Sequence, residues 1–166
     1  MTKIRFLKIR DVKSPERNNL TDSGIDGFVP YDLEEVKITP SWEIRKIEDW
    51  KIILKSNEWA LIPAWIQLII ENWYDIQISN KSGIATKRHL ICWAEIVDNW
   101  YTGQPHYHMI NVSNDIQIIE LWDKIAQMII RKVYNDGPKE INEEEFNLNA
   151  QSKKRWDNWF WSSWIK

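Results

Sequence analysis

The sequence has one cysteine and only five glycines, and it contains no long hydrophobic run. The lone cysteine, Cys92, excludes an internal disulfide and is typical of a reducing compartment, so we expect a cytoplasmic location. The charged N-terminus lacks the apolar region of a signal peptide, and no segment is long enough to cross a bilayer. The 22 basic and 24 acidic residues give a net charge of −2, which offers no electrostatic basis for binding nucleic acid or an anionic membrane.

Tryptophan is unusually abundant in this sequence, and glycine is unusually scarce. There are 12 tryptophans, whereas average usage would give glycine about a dozen positions in a chain of this length. Trp50, Trp73 and Trp100 each follow Asp or Asn between predicted strands. Asp-Gly and Asn-Gly are the strongest short hairpin signals because their central residues adopt positive φ, which a Trp side chain disfavours. Four more tryptophans lie at predicted strand ends: Trp42, Trp59, Trp65 and Trp122. The alternative is that all of these are ordinary strand aromatics.

The apolar pattern predicts an all-β fold. Residues 3–8 form a first predicted strand, 14–26 are polar and turn-forming, and short Ile- and Val-rich runs then recur every eight to twelve residues. This spacing is typical of a sandwich or barrel of many short strands. One short helix is expected over residues 82–88, with a serine that could cap it.

Three segments are expected along the chain. Residues 1–134 form the predicted β-barrel core, and the polar, acid-rich residues 135–154 form a flexible linker. The last segment, 155–166, reads RWDNWFWSSWIK and exposes several large rings with nothing local to cover them. With glycine in place of each tryptophan it reads RGDNGFGSSGIK. Such a loop can turn backbone N–H groups onto phosphates, while Arg155 supplies a fork of donors.

Five stretches, in order over residues 22–166, resemble the motifs of the homotrimeric dUTP pyrophosphatases (dUTPases). They are 22–26 (DSGID), 80–85 (NKSGIA), 92–103 (CWAEIVDNWYTG), 122–127 (WDKIAQ) and 155–166. Two positions depart from the family pattern: Gly27 stands where an apolar or aromatic residue is usual, and Lys81 replaces an arginine. The resemblance implies a jelly-roll-like homotrimer with sites at subunit interfaces, which converts dUTP and water to dUMP and pyrophosphate with Mg²⁺.

The resemblance also implies roles for single residues. Asp98 matches the general base that activates water, and Tyr101 would pack beneath the deoxyribose and leave no room for a 2′-hydroxyl. Asp26 matches a carboxylate that acts on Mg²⁺ indirectly, through water. Asp123 is either an additional site residue or an ion-pair partner.

The remaining matched residues would bind the substrate. Four of them match phosphate-binding positions: Lys81, Ser82, Gly83 and Gln127. In the last motif Arg155 would hold the γ-phosphate, Phe160 would stack on the uracil, and Ser162 and Ser163 would hydrogen-bond phosphate oxygens. This motif would close over the substrate as a lid.

Several tryptophans occupy positions where the family has glycine. In the last three motifs these are Trp93, Trp122, Trp156, Trp159, Trp161 and Trp164, and the family also tolerates glycine at Trp100. We hypothesise that UGA encodes glycine in the source lineage and has been translated here as tryptophan. The alternative is a genuine tryptophan-bearing chain, which we expect to fold badly and to lack activity.

Two other functions stay open. A dCTP deaminase shares the implied fold, although Asp98 followed by Tyr101 points away from it. A non-catalytic dUTPase-like regulatory protein is the other, and the presence of Asp98, Gln127, Arg155 and Phe160 argues against it. His106 and His108 would share one strand face, but without a third ligand we interpret them as structural. Cys92 is expected to be a small buried hydrophobe and not a nucleophile.

Overall fold

The computed structural model describes residues 3–134 and 136–151. The chain divides into two compact units, Met1–Tyr134 and Asn135–Lys166. The described part of the first unit contains thirteen short β-strands and one helix, and that of the second contains one helix. Within these described ranges, neither helix has the length and apolar character needed to cross a membrane.

The strands follow one another along the first unit. They are β1 (Ile4–Lys8), β2 (Gly24–Phe28), β3 (Glu35–Thr39), β4 (Glu43–Lys46), β5 (Lys51–Leu54), β6 (Trp59–Pro63), β7 (Ile66–Ile70), β8 (Tyr74–Asn80), β9 (Leu90–Cys92), β10 (Ile96–Val97), β11 (His106–Asn111), β12 (Gln117–Glu120) and β13 (Lys124–Lys132). Helix α1 (Ser82–Arg88) connects β8 to β9, and α2 (Glu143–Gln151) belongs to the second unit.

The strands form four antiparallel sheets. A five-stranded sheet has the order β4-β3-β6-β11-β9, and a four-stranded sheet has the order β10-β8-β13-β2. Two further pairs are β1-β7 and β12-β5. Four of the matched motifs overlap the four-stranded sheet, since β2, β8, β10 and β13 each contain part of one. Asp26 and Gln127 lie within its strands, whereas Lys81 and Asp98 directly follow β8 and β10.

One core cluster draws buried side chains from all four sheets. Strand β7 illustrates the pattern: Ile66, Leu68 and Ile70 are buried, whereas the residues between them are exposed. A period of two is expected when one face of an antiparallel sheet lies on the core. Each fully buried Ile or Leu side chain contributes about 1.5–3 kcal/mol relative to exposure, so this shared core stabilises the unit.

The all-β prediction is confirmed, and the predicted apolar runs form strands β3 to β13. Strand β2 differs from the expectation, because the polar pattern of 14–26 predicts turns. Gly24–Phe28 instead pairs with β13 along its length. Two glycines in five residues give this segment a weak intrinsic strand preference, so its pairing depends on tertiary context.

The helices confirm one expectation and correct two. Helix α1 has the predicted bounds, but its N-cap position is Lys81 and no side chain caps it, so the predicted serine cap is wrong. The linker expected to lack secondary structure contains α2, Glu143–Gln151. Asn142 Oδ1 accepts the amide of Glu145 at 2.8 Å, and three glutamates in the first turn suit the positive end of the helix dipole.

Candidate active site

A polar cavity of about 500 Å³ opens beside β2 and β13. Its lining residues are Asn18, Asp22, Ser23, Gly24, Asp26, Lys81, Lys124, Gln127 and Ile129. Three of the predicted site residues, Asp26, Lys81 and Gln127, therefore come together here. The lining combines two ammonium groups with carboxylate and amide oxygens, a set that suits an anion accompanied by a hard cation.

Asp26 is the buried acid of this cavity, with 5% of its surface exposed. Lys81 Nζ is paired with its Oδ1, and Lys124 Nζ lies 2.9 Å from its Oδ2. Burial is the largest single influence and raises the pKa of Asp26, but hydrogen bonds and charges from both lysines together lower it. The carboxylate is therefore held ionised and positions two cations at the cavity wall. Lys81 and Asp26, predicted separately for phosphate and for Mg²⁺, are direct ion-pair partners.

An irregularity in β13 brings Lys124 and Gln127 to the same cavity. They are three residues apart, and a regular strand would place them on opposite faces. The pairing of β13 with β2 shifts register between Lys124 and Ala126. Gln127 Nε2 donates to the carbonyl oxygen of Asn80 at 2.9 Å, which orients the amide. Lys124 is a site residue that sequence reasoning missed, because a period-two pattern gives no reason to group it with Gln127.

A second cavity, of about 180 Å³, lies at the loop between β10 and β11. We call this loop of residues 98–105 the hairpin, although the two strands that it joins belong to different sheets. Asp98 and Tyr101 both line it, and the Tyr101 amide donates to the Asp98 carbonyl oxygen at 3.1 Å across a tight turn. Tyr101 Oη donates to the carbonyl oxygen of Gln104 at 3.0 Å. A Cβ at Gly103 would lie 2.8 Å from the Tyr101 ring, so glycine permits this packing. The result is an exposed carboxylate beside a fixed aromatic ring.

His106 lines the hairpin cavity as well, which its position in the sequence does not suggest. His106 and His108 flank the fully buried Tyr107 on β11. Within the described residues, His108 Nε2 is buried without a hydrogen-bond partner, and its ring lies 5.0 Å from that of Trp59. Burial lowers the pKa of both imidazoles. In the part of the chain that the structure describes, no three His, Cys, Asp or Glu residues form a metal-binding group.

Other residues singled out by the sequence lie outside both cavities. Ser82 and Gly83 are exposed at the start of α1 and line neither of them. Asp123 is an ion-pair partner, since its Oδ2 accepts from Arg88 Nη1 at 2.7 Å. Cys92 is buried, and burial raises the pKa of its thiol to about 12, which keeps it protonated. Four predicted residues lie outside the described ranges: Arg155, Phe160, Ser162 and Ser163.

The departure at Gly27 has a physical reason in Tyr107. A Cβ at Gly27 would lie 2.3 Å from Tyr107 Oη and 2.6 Å from its Cζ. Tyr107 is 1% exposed, so its ring already fills the space that a side chain at position 27 would need. A larger residue at position 27 would overpack this part of the core unless Tyr107 were replaced by a smaller one.

Asp98 and Lys81 lie beside opposite ends of β8, whereas Ile78, nearer the middle of the strand, lines the second cavity. In the β10-β8 pairing, Ile96 faces Gln77 and Val97 faces Ile76, so Asp98 comes level with Asp75. Lys81 follows the other end of β8, six residues further along. At about 3.3 Å per residue, Asp98 and Lys81 are separated by about 20 Å along the strand. One hydrogen-bonded water cannot bridge that distance.

Comparison with known proteins identifies the family of the chain. A family model described as dUTPase matches residues 48–163. A deoxyuridine 5′-triphosphate nucleotidohydrolase from Finegoldia magna is 35% identical over 95 residues, covering 56% of this chain and 66% of that protein. A relative of the same name from Orientia tsutsugamushi is 32% identical over 118 residues, covering 69% of this chain and 75% of that protein.

Solved structures share the fold. The Staphylococcus bacteriophage 80alpha dUTPase in complex with dUpNHpp has a TM-score of 0.74 at 19% identity, over 99% of this chain and 100% of that one. A mutant dUTPase from phage phi11 of S. aureus, described with a structural Mg(II) ion, has a TM-score of 0.68 at 19% identity, over 86% of this chain and 98% of that one.

The chain belongs to the dUTPase family, on the strength of the family model and the named relatives. The enzyme class of that family is dUTP diphosphatase. The predicted family, jelly-roll-like fold and enzyme class are thereby confirmed.

Proposed function

We propose that the chain hydrolyses dUTP to dUMP and pyrophosphate by attack of water on the α-phosphate. The observation that carries the proposal is the pair of cavities. One presents a carboxylate at a hairpin, and the other presents two ammonium groups and an amide. These groups match what activation of water and stabilisation of a pyrophosphate leaving group require.

Asp98 acts as the general base. Its carboxylate is exposed at the hairpin turn, where a water can reach it. The proton of that water passes to Asp98 as its oxygen attacks the α-phosphorus, and the departing pyrophosphate takes the electron pair of the broken P–O bond. A positioned base of this kind typically contributes about 10²–10⁴ in rate.

The hairpin also selects the nucleoside. Backbone amide and carbonyl groups of the hairpin read the edge of uracil, and the Tyr101 ring packs beneath the deoxyribose, where a 2′-hydroxyl has no room. The hydrogen bond from Tyr101 Oη to Gln104 holds the ring in place for this role. His106 forms part of the lining of the same cavity.

The larger cavity binds the triphosphate. Lys81 and Lys124 supply positive charge, Gln127 supplies an amide, and the exposed Ser82 and Gly83 contact phosphate oxygens from the start of α1. In the C-terminal lid of residues 155–166, Arg155 holds the γ-phosphate, Phe160 stacks on uracil, and Ser162 and Ser163 bind phosphate oxygens. The residues 135–154 link this lid to the core of residues 1–134.

Mg²⁺ fits the larger cavity. Asp26 supplies a buried carboxylate there, and Asp22 contributes a second to the same wall. Mg²⁺ usually keeps several waters and takes only one or two protein carboxylates beside substrate phosphates, so Asp26 would act on it through water. The ion would neutralise charge on the phosphate oxygens. The half-buried neighbours Lys81 and Lys124 keep Asp26 ionised for this role.

We propose that the chain forms a homotrimer with shared sites, and the separation of Asp98 from Lys81 supports a site built from more than one subunit. Because Asp98 lies about 20 Å from Lys81 along β8, one chain does not bring base and phosphate ligands together. A neighbouring copy would supply the missing half. The apolar residues Phe6, Leu7 and Ile69 are 44%, 63% and 56% exposed on the β1-β7 pair, which suits burial against another subunit. We also propose a cytoplasmic location, in keeping with the single cysteine.

Product analysis tests the activity. Purified protein with Mg²⁺ is expected to release pyrophosphate from dUTP but not from dCTP or TTP. Ammonia from dCTP would identify a deaminase instead, and dUTP binding without turnover would identify a non-catalytic protein. Asp98→Asn is expected to lower turnover at least about 100-fold. The matched control is Asp115→Asn, an exposed carboxylate that lines neither cavity.

Mixing two inactive variants tests the shared site. Asp98→Asn and Gln127→Ala each remove one half of the proposed constellation, so each alone is expected to be inactive. Refolding the two chains together is expected to restore turnover, because some interfaces then combine an intact Asp98 with an intact Gln127. Each variant refolded with itself is the control. Mixed trimers that stay inactive would contradict the assignment of the two halves to different subunits.

A further inference from the structure

Five tryptophans adopt the left-handed backbone conformation. Of the eight tryptophans in the described ranges, these have φ between 50° and 75°: Trp42 (59°), Trp50 (62°), Trp65 (50°), Trp73 (70°) and Trp122 (75°). All five glycines lie in the same described ranges, and none of them has a positive φ. Glycine, which favours this conformation, is therefore absent from it within the described ranges, whereas tryptophan, which disfavours it, adopts it five times.

Burial of the tryptophan side chains does not account for this conformation at four of the five positions. The left-handed region brings Cβ too close to the following carbonyl oxygen, and a bulky aromatic there is an outlier. Four of the five rings are more than half exposed: Trp42, Trp50, Trp73 and Trp122. Burial therefore does not hold them in place. Trp65 is the exception, since it is 5% exposed and lies 4.6 Å beneath the guanidinium of Arg10.

The turns themselves are of types that need glycine. Asp49 and Trp50 both have positive φ, and the Lys51 amide donates to the Glu48 carbonyl oxygen at 3.0 Å, which makes a two-residue type I′ hairpin turn. At Trp73, the Tyr74 amide donates to the Glu71 carbonyl oxygen at 3.2 Å, and only the third turn residue is left-handed, as in a type II turn.

Three described tryptophans do not share the conformation. Trp100 is not left-handed, so the predicted Asn-Gly-like geometry is wrong at that turn. Trp59 lies within β6, and its ring stacks on that of Trp93 at 5.4 Å between centroids. These three positions serve as internal controls, because their backbones accept any residue.

We infer that the polypeptide made in the source organism carries glycine at all twelve tryptophan positions, through UGA codons decoded as glycine. The five left-handed sites carry the inference, and we extend it to the other seven positions because one reassignment acts wherever the same codon occurs. The inference goes beyond the proposed reaction, because it concerns the amino-acid sequence of the native protein. It also gives the segment 155–166 the sequence RGDNGFGSSGIK, with a backbone free to approach phosphates.

The gene and the native protein provide the direct test. The twelve codons are expected to be UGA, and the intact mass of the protein purified from its source is expected to lack twelve indolylmethyl groups. Its absorbance at 280 nm is expected to be that of its five tyrosines alone. UGG codons at these positions, or a native mass that includes the twelve rings, would overturn the inference. Neither measurement depends on whether the protein hydrolyses dUTP.

Recombinant variants test the backbone argument separately. Replacing the four exposed left-handed residues (W42G, W50G, W73G and W122G together) is expected to raise the unfolding temperature of the tryptophan chain. The control combines W59G, W93G and W100G, whose backbones are not left-handed, and is expected to lower it or leave it unchanged. Equal shifts for the two sets, or a loss of stability in the first, would contradict the inference.

Discussion

Trp50→Gly is the cleanest single test of backbone strain in this protein. Trp50 is the second left-handed residue of a type I′ turn, with φ of 62°, and its side chain is 68% exposed. The left-handed conformation costs an L-residue about 1–2 kcal/mol, and glycine removes that cost. Glycine also loses about 0.5–1 kcal/mol more conformational entropy on folding than alanine does. The expected net gain is about 0.5–1 kcal/mol.

The assay is thermal or urea unfolding of parent and variant. For a chain of this size a gain of 1 kcal/mol raises Tm by about 2–4 °C, so Trp50→Gly is expected to raise Tm by about 1–4 °C. Trp100→Gly is the matched control, because Trp100 is also an exposed turn residue but is not left-handed. It gains no relief of strain and is expected to be slightly destabilised. If both variants lose stability equally, the strain at position 50 is not real.

Three further predictions concern the site and its packing. Folding lowers the pKa of Asp26, so its ionised carboxylate contributes fully to stability above the unfolded-state pKa of about 3.9. That contribution is lost as the pH falls through the pKa of the folded state. Asp26→Asn is therefore expected to flatten the acid side of the plot of unfolding free energy against pH. Gly27→Ala is expected to cost about 1–3 kcal/mol in urea unfolding through its clash with Tyr107 Oη, and adding Tyr107→Phe is expected to recover part of the loss; no recovery would mean that another contact sets the cost. Lys124→Gln is expected to raise KM for dUTP about 10–100-fold, and its control Lys132→Gln, outside both cavities, is expected to leave KM unchanged.

The sequence was a good guide to the strands because burial imposes a period of two on them. In β3 the alternation of exposed Glu35 and Lys37 with buried Val36 and Ile38 is visible in the residues themselves. Strand β2 could not be predicted in this way. It contains Gly24 and Gly27, and it is a strand because β13 pairs with it and Tyr107 fills the space above Gly27. Such pairing is a property of the assembled sheet.

The grouping of site residues could be predicted from the sequence where the residues are close together in one turn. Asp98 and Tyr101 belong to one turn, so their common cavity follows from their spacing. Lys124 belongs to the same matched motif as Gln127, but the two line one cavity because of the register shift in β13, which the residue pattern does not predict. The ion pair between Lys81 and Asp26 is equally hidden, since 55 residues separate the two along the chain.

Assembly and chemistry depend on the same feature of the fold, namely the position of β8 between the two cavities. Its antiparallel pairing with β10 places Asp98 level with the start of β8, whereas Lys81 follows its end. A shorter β8 would bring the base toward the phosphate ligands, but it would also remove the pairing with β13, which extends from Tyr74 to Asn80 and supports Gln127. A single chain therefore cannot shorten the gap without losing one of its two half-sites. In the homotrimer that we propose, a second copy docked through the exposed apolar residues of β1 and β7 would supply the missing half-site.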